Sequence, residues 1–82
     1  MRRPRVTVYT RARCGLCREA EAVVAAVAGT AADVELVDID ADASLTDRYT
    51  VRVPVVAVDG EELFEYVVDA AALHDALRAA RR

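Results

Sequence analysis

Two cysteines, Cys14 and Cys17, are the only sulfur nucleophiles in the chain, and they stand three positions apart in the run Thr10-Arg11-Ala12-Arg13-Cys14-Gly15-Leu16-Cys17. On a helix that spacing separates two residues by nearly one turn and leaves them on one face. Residues so placed lie about 5–6 Å apart, inside the window of about 4.4–6.8 Å between Cα atoms that a disulfide tolerates. The pair can therefore open and close a bond without a large backbone movement. A cysteine pair that follows a strand-like run and opens a helix is a redox-site pattern.

The helix that follows assigns different surroundings to the two sulfurs. Leu16, Ala20, Val23, Val24 and Val27 recur at helical spacing and are expected to form the buried stripe, with Arg18, Glu19 and Glu21 away from it. Cys17 falls on the stripe, whereas Cys14 lies at the tip. Cys14 is thus expected to be the exposed attacking thiol and Cys17 the sheltered resolving one. Free backbone N–H groups and the positive end of the helix dipole favour a thiolate at the tip, which predicts a depressed pKa for Cys14. Arg11 and Arg13 add positive charge beside it.

The elements that must position this pair can be read in order. Arg5 to Tyr9 alternates and is β-branched, so it reads as a strand, and Thr10 to Arg13 connects it to a helix from Gly15 to Ala28 that Gly29 stops. Val34 to Ile39 carries apolar residues on both faces and reads as a strand covered on both sides. Asp40 or Asp42 caps a short second helix bearing Leu45 and Tyr49. Val55 to Val58 is a third strand, Asp59-Gly60 is a hairpin turn, and Glu61 to Tyr66 is a fourth strand. Asp69 caps a last helix whose Leu73 and Leu77 face the core. The order β-α-β-α-β-β-α joins the first two strands in parallel and the last two antiparallel. The expected class is α/β, with a four-stranded mixed sheet and helices on both faces.

At 82 residues the chain is expected to form one domain, residues 1–82. Its apolar share of 55% is rich in Ala and Val, and the formal net charge of −3 gives no reason to expect nucleic acid. Every basic side chain is Arg, and Arg2, Arg3, Arg5, Arg78, Arg81 and Arg82 at the two ends are expected to be solvated. No apolar run approaches membrane-spanning length, so no membrane partner and a cytoplasmic location are expected. A reducing compartment favours a catalytic or metal-binding role for a close cysteine pair over a structural one. Two cysteines supply half of the ligands of a closed zinc site, and His74 is remote and expected at the surface, so no metal site is expected. Tyr9 and Tyr49 are expected to pack, not to react.

The sequence resembles the glutaredoxin branch of the thioredoxin-fold proteins. The resemblance rests on Val8-Tyr9-Thr10-Arg11 before Cys14-Gly15-Leu16-Cys17, the Val53-Pro54 dipeptide before the third strand and the Asp59-Gly60 hairpin, and it covers nearly the whole chain. It implies a thioredoxin fold and a dithiol–disulfide oxidoreductase, with Cys14 as nucleophile and Cys17 as resolving partner. It also implies a cis bond at Val53-Pro54, whose preceding backbone pairs with the thiol substrate. Arg11 stands where glutaredoxins commonly carry a Lys that contacts the glutathione carboxylate, and Asp69 stands in the cap region of that contact.

No permanently bound cofactor is implied. Glutathione or another low-molecular-weight thiol is the expected co-substrate, a disulfide-containing protein or small thiol the substrate, and a thiol or a reductase the reductant, acting on a monomer. The sequence departs from the family pattern twice. Gly15-Leu16 replaces an aromatic-bearing Pro dipeptide between the cysteines, and Tyr66-Val67-Val68-Asp69 replaces a Gly-Gly pair that lets the backbone approach glutathione. The alternatives are an iron–sulfur cluster or metal-binding glutaredoxin-like module and a non-catalytic adaptor of the same fold.

Overall fold

The computed structural model describes residues 3–81. Strand β1, Arg5–Thr10, alternates buried Val6, Val8 and Thr10 with more exposed neighbours, as the period of two in its sequence requires. Its last residue leads through an irregular connection into helix α1, Gly15–Ala28, and on to strand β2, Asp33–Asp38. A single 3₁₀ turn at Ile39–Ala41 precedes helix α2, Ala43–Tyr49; strands β3, Val55–Val58, and β4, Glu61–Glu65, then form a hairpin before helix α3, Ala70–Ala80. Asp42 caps α2 by accepting from the Ser44 N–H, and Asp69 caps α3 by accepting from the Ala72 N–H.

The sheet runs in the order β2-β1-β3-β4, with β1 and β2 parallel and the other neighbours antiparallel. This is the mixed α/β sheet expected. One face carries α1 and α3 over a core of Val6, Val8, Ala20, Val24, Val56, Leu73 and Leu77. The other face carries α2 and the 3₁₀ turn over Ile39, Tyr49 and Val55, with Tyr9, Leu45 and Val53 packed beside them. The cross-strand pair Tyr9–Val55 sets the register of β1 against β3. One step further along that register lie Thr10 and Pro54, so the residue leading towards Cys14 and the Val53-Pro54 dipeptide share one end of the sheet.

Three expectations are corrected. β2 is not covered on both sides: it is the edge strand, Val34 and Leu36 remain 42% and 54% exposed, and Ile39 leaves the strand to fill the α2 side. An apolar run of this kind is ambiguous between a central strand and an edge that neighbouring helices are too short to reach. The buried side of α1 is Cys17, Ala20, Val24 and Ala28, while Leu16 is 43% exposed and Val23 and Val27 flank the stripe. Small Ala side chains let the helix settle on the sheet along that line. β4 stops at Glu65, because Tyr66 turns to φ 67°. Arg3 and Arg5 are solvated yet paired, with Asp33 at 3.0 Å and Glu35 at 3.5 Å. Arg78 and Arg81 are exposed, whereas Arg2 and Arg82 lie outside the described residues.

Candidate redox site

Cys14 is the N-cap of α1, with extended backbone angles, and its Sγ accepts the Cys17 backbone N–H at 3.1 Å. A sulfur therefore takes the place that Ser or Asp takes at most helix starts, and it satisfies a donor that the helix cannot satisfy itself. Such a donor together with the helix dipole stabilises negative charge on that sulfur. Cys14 is half-buried and Cys17 is fully buried, and the two are joined as a disulfide with Cα atoms 5.1 Å apart. The accessible and covered positions are those that the helical spacing implied.

The connection before Cys14 is held by charge. Arg11 forms a two-pronged pair with Asp40, at 3.0 Å from Nε and 2.6 Å from Nη2, and its Nη1 reaches the Thr50 hydroxyl at 3.0 Å. The Asp40 carboxylate raises the Arg11 pKa above its already high ordinary value, so the side chain is a fixed cation whose planar fork is already occupied. Arg13, next to Cys14, is exposed and lies at φ 58°, left-handed backbone that is uncommon for a side-chain-bearing residue.

Sequence reasoning missed a second cluster. Arg18 leans back along α1, as helical side chains do, and its Nη2 donates to the Arg11 carbonyl at 2.8 Å, the Thr10 hydroxyl at 2.9 Å and Glu21 Oε2 at 2.7 Å. The buried Thr10 hydroxyl also donates to Glu21 at 2.5 Å. This cluster ties the end of β1 and the loop before Cys14 to the body of the helix. The i, i+3 spacing of Arg18 and Glu21 was the legible signal, but nothing in the sequence pointed either side chain towards Thr10.

The loops at the same end of the sheet are held by their own hydrogen bonds. The Val53-Pro54 peptide is cis, and Pro54 is buried. The Val53 N–H donates to the Tyr49 carbonyl at 3.1 Å, and the Pro54 carbonyl accepts the Tyr66 N–H at 2.9 Å. Tyr66 also donates its hydroxyl to the Val51 carbonyl at 2.5 Å. Asp69 spends a carboxylate oxygen on the Ala72 N–H at 3.0 Å. Between α1 and the segment joining β4 to α3 lies a groove of about 60 Å³, lined by Leu16, Glu19, Ala20, Val23, Tyr66, Val67 and Val68. Among the described residues no group of three or more His, Cys, Asp or Glu side chains is placed to hold a metal ion, and His74 is 61% exposed beside Asp75.

The glutaredoxin-like domain family (DUF836) matches residues 5–78, from the first residue of β1 to the last turn of α3. The chain belongs to that family. It is similar to a structural-genomics target protein from X. campestris solved by X-ray, with 37% identity over 90% of this chain and 96% of that one and a TM-score of 0.75. A protein from Nitrosomonas europaea solved by NMR is 29% identical over 94% of each chain, with a TM-score of 0.78. A mutant thioredoxin from Halobacterium salinarum is 33% identical over 93% of this chain and 73% of its own, at a TM-score of 0.68. Among curated proteins, none matches. The fold is the thioredoxin fold, and this glutaredoxin-like domain carries its cysteine pair at disulfide distance. No helix among the described residues is long and apolar enough to cross a membrane.

Proposed function

We propose that the chain is a thiol–disulfide oxidoreductase in which Cys14 attacks and Cys17 resolves. The observation that supports this most directly is the pairing of a half-buried N-cap sulfur, which receives a backbone N–H, with a fully buried sulfur one turn deeper. In the reduced protein the Cys14 thiolate attacks one sulfur of a substrate disulfide. A mixed disulfide forms, and the other substrate sulfur leaves as a thiolate that takes a proton from water. The Cys17 thiolate then attacks Cys14 Sγ. The second substrate thiolate departs, and the Cys14–Cys17 bond is left oxidised. A dithiol or a reductase returns two electrons to it.

The rest of the site supports the same cycle. The Arg18 cluster fixes the loop that carries Cys14, and Pro54 shares with that loop one end of the sheet. Because Arg11 is engaged by Asp40 and Thr50, glutathione is a poorer co-substrate for this protein than a neutral dithiol. The test is dithiothreitol-driven reduction of hydroxyethyl disulfide, a small neutral disulfide, by the wild type and by Cys14→Ser. Turnover that disappears with the substitution supports the reading. Turnover that survives it assigns the chemistry elsewhere.

A further inference from the structure

We infer that the open edge of β2 docks another protein: it takes an extended polypeptide segment of alternating apolar and basic side chains, added to the sheet as an antiparallel strand. Neither cysteine takes part, so docking is separate from thiol–disulfide exchange. In the order β2-β1-β3-β4, β2 has a neighbour on one side only, and among the described residues no strand or helix pairs with its other side. The Asp33 N–H donates to the Pro4 carbonyl at 2.9 Å, towards β1. Backbone groups of successive strand residues point to opposite sides. Glu35 and Val37 therefore also face β1, and the N–H and C=O groups of Val34 and Leu36 face outward. An edge with unspent donors and acceptors is a template for a further strand.

The side chains define what that strand carries. Val34 and Leu36 are in register with Val6 and Val8, which are fully buried in the core under α1 and α3, yet they themselves remain exposed. A strand laid beside β2 covers them if its own residues on that face are apolar. The opposite face of β2 bears Asp33 and Glu35, both exposed and each held by one arginine, Arg3 at 3.0 Å and Arg5 at 3.5 Å. Asp38 adds a carboxylate at the end of the strand. Lys or Arg directly across from Glu35 is favourable, whereas a second copy of this chain brings the same carboxylates to the contact and is disfavoured.

The two edges of the sheet are not equivalent. β4, at the other edge, pairs with β3 through a register shift between Val56 and Ala57, an irregularity that turns an edge away from further pairing. β2 follows β1 in one unbroken register from Asp33 to Asp38. The outward backbone, the exposed apolar pair and the acidic face all belong to this one strand. A docked segment therefore gains hydrogen bonds, apolar cover and charge pairing together.

The experiment follows the amides of isotope-labelled protein by NMR as a peptide of about six residues, alternating Val and Lys, is added. Slowed hydrogen exchange is expected at the Val34 and Leu36 N–H groups, and a peptide with Glu in place of Lys is expected to bind about tenfold more weakly. Leu36→Pro removes one outward donor where an edge strand tolerates Pro, so it is expected to keep the fold and abolish binding. Should it fail to fold, Leu36→Lys, which sets a cation in place of the apolar contact, is expected to weaken binding about tenfold. Protection at other residues only, equal binding of the Lys and Glu peptides, no binding of either, or full binding by a folded Leu36 variant overturns the inference. Protection of Val34 and Leu36 that grows with protein concentration in the absence of peptide assigns the edge to a second copy, and overturns it as well.

Discussion

Cys14 and Cys17 differ by one helical turn and by full coverage of the second sulfur, and the proposed exchange divides its two halves along that difference. Cys14→Ser removes the sulfur that receives the Cys17 N–H, so disulfide reduction is expected to fall to the uncatalysed background. Cys17→Ser leaves the attack intact and removes the escape. A covalent adduct of one substrate half on Cys14 is expected to accumulate, visible as a mass increase that dithiothreitol reverses. An adduct on the Cys14→Ser protein instead would invert the assignment. The difference in coverage was legible from spacing alone, because a helix start has no preceding turn to cover it. The employment of the nearby cations was not legible: Arg11 is committed to Asp40, a partner 29 positions away, and the cation that grips the Cys14 loop is Arg18, which follows it.

The elements carry a second network on the α2 side of the sheet. Tyr49 is 2% exposed, stacks on Tyr9 at 4.3 Å between ring centroids, and donates to Glu62 at 2.6 Å; Arg52 reaches Glu62 at 2.6 Å and Glu65 at 2.7 Å. Burial, followed by the Glu62 hydrogen bond, raises the Tyr49 pKa, while the Tyr49 hydroxyl and then Arg52 hold the Glu62 pKa below its ordinary value. A carboxylate whose pKa is lower folded than unfolded contributes stability above its unfolded pKa, and that contribution fades as pH falls through the folded one. Wild-type melting temperature is therefore expected to drop more steeply on acidification below the ordinary Glu range than that of Glu62→Gln. Parallel curves would show that the network adds nothing at this site. Tyr49→Phe keeps the stacking and loses the hydroxyl, an expected cost of about 1 kcal/mol in denaturant unfolding. At the end of α1, Gly29 adopts φ 50° with no neighbouring atom in the way of a side chain. Gly29→Ala is accordingly expected to cost about 1 kcal/mol through backbone conformation alone.

For the whole molecule, element order and the mixed sheet were legible because strand alternation, the Asp59-Gly60 turn and the caps Asp42 and Asp69 are local signals that agree with one another. The exposure of β2 and the line Cys17, Ala20, Val24 and Ala28 that α1 buries were not, since each depends on how far a neighbouring element reaches across the sheet. The groove was equally hidden, because Tyr66 adopts a backbone conformation that sequence assigns to glycine. Global stability then links the cysteine pair to the fold. Cys14 and Cys17 are three positions apart, so oxidation closes a very short loop and removes little freedom from the unfolded chain, on the order of 2 kcal/mol by loop entropy. In the reduced form Cys14 Sγ is placed to keep the Cys17 N–H as a partner, so α1 retains its cap without the bond. The oxidised protein is thus expected to melt higher than the reduced one, by no more than about 2 kcal/mol in calorimetry or denaturant titration of the two forms. A larger gap would mean that reduction loosens α1 itself, and protection of its amides against hydrogen exchange in the reduced protein would show whether it does.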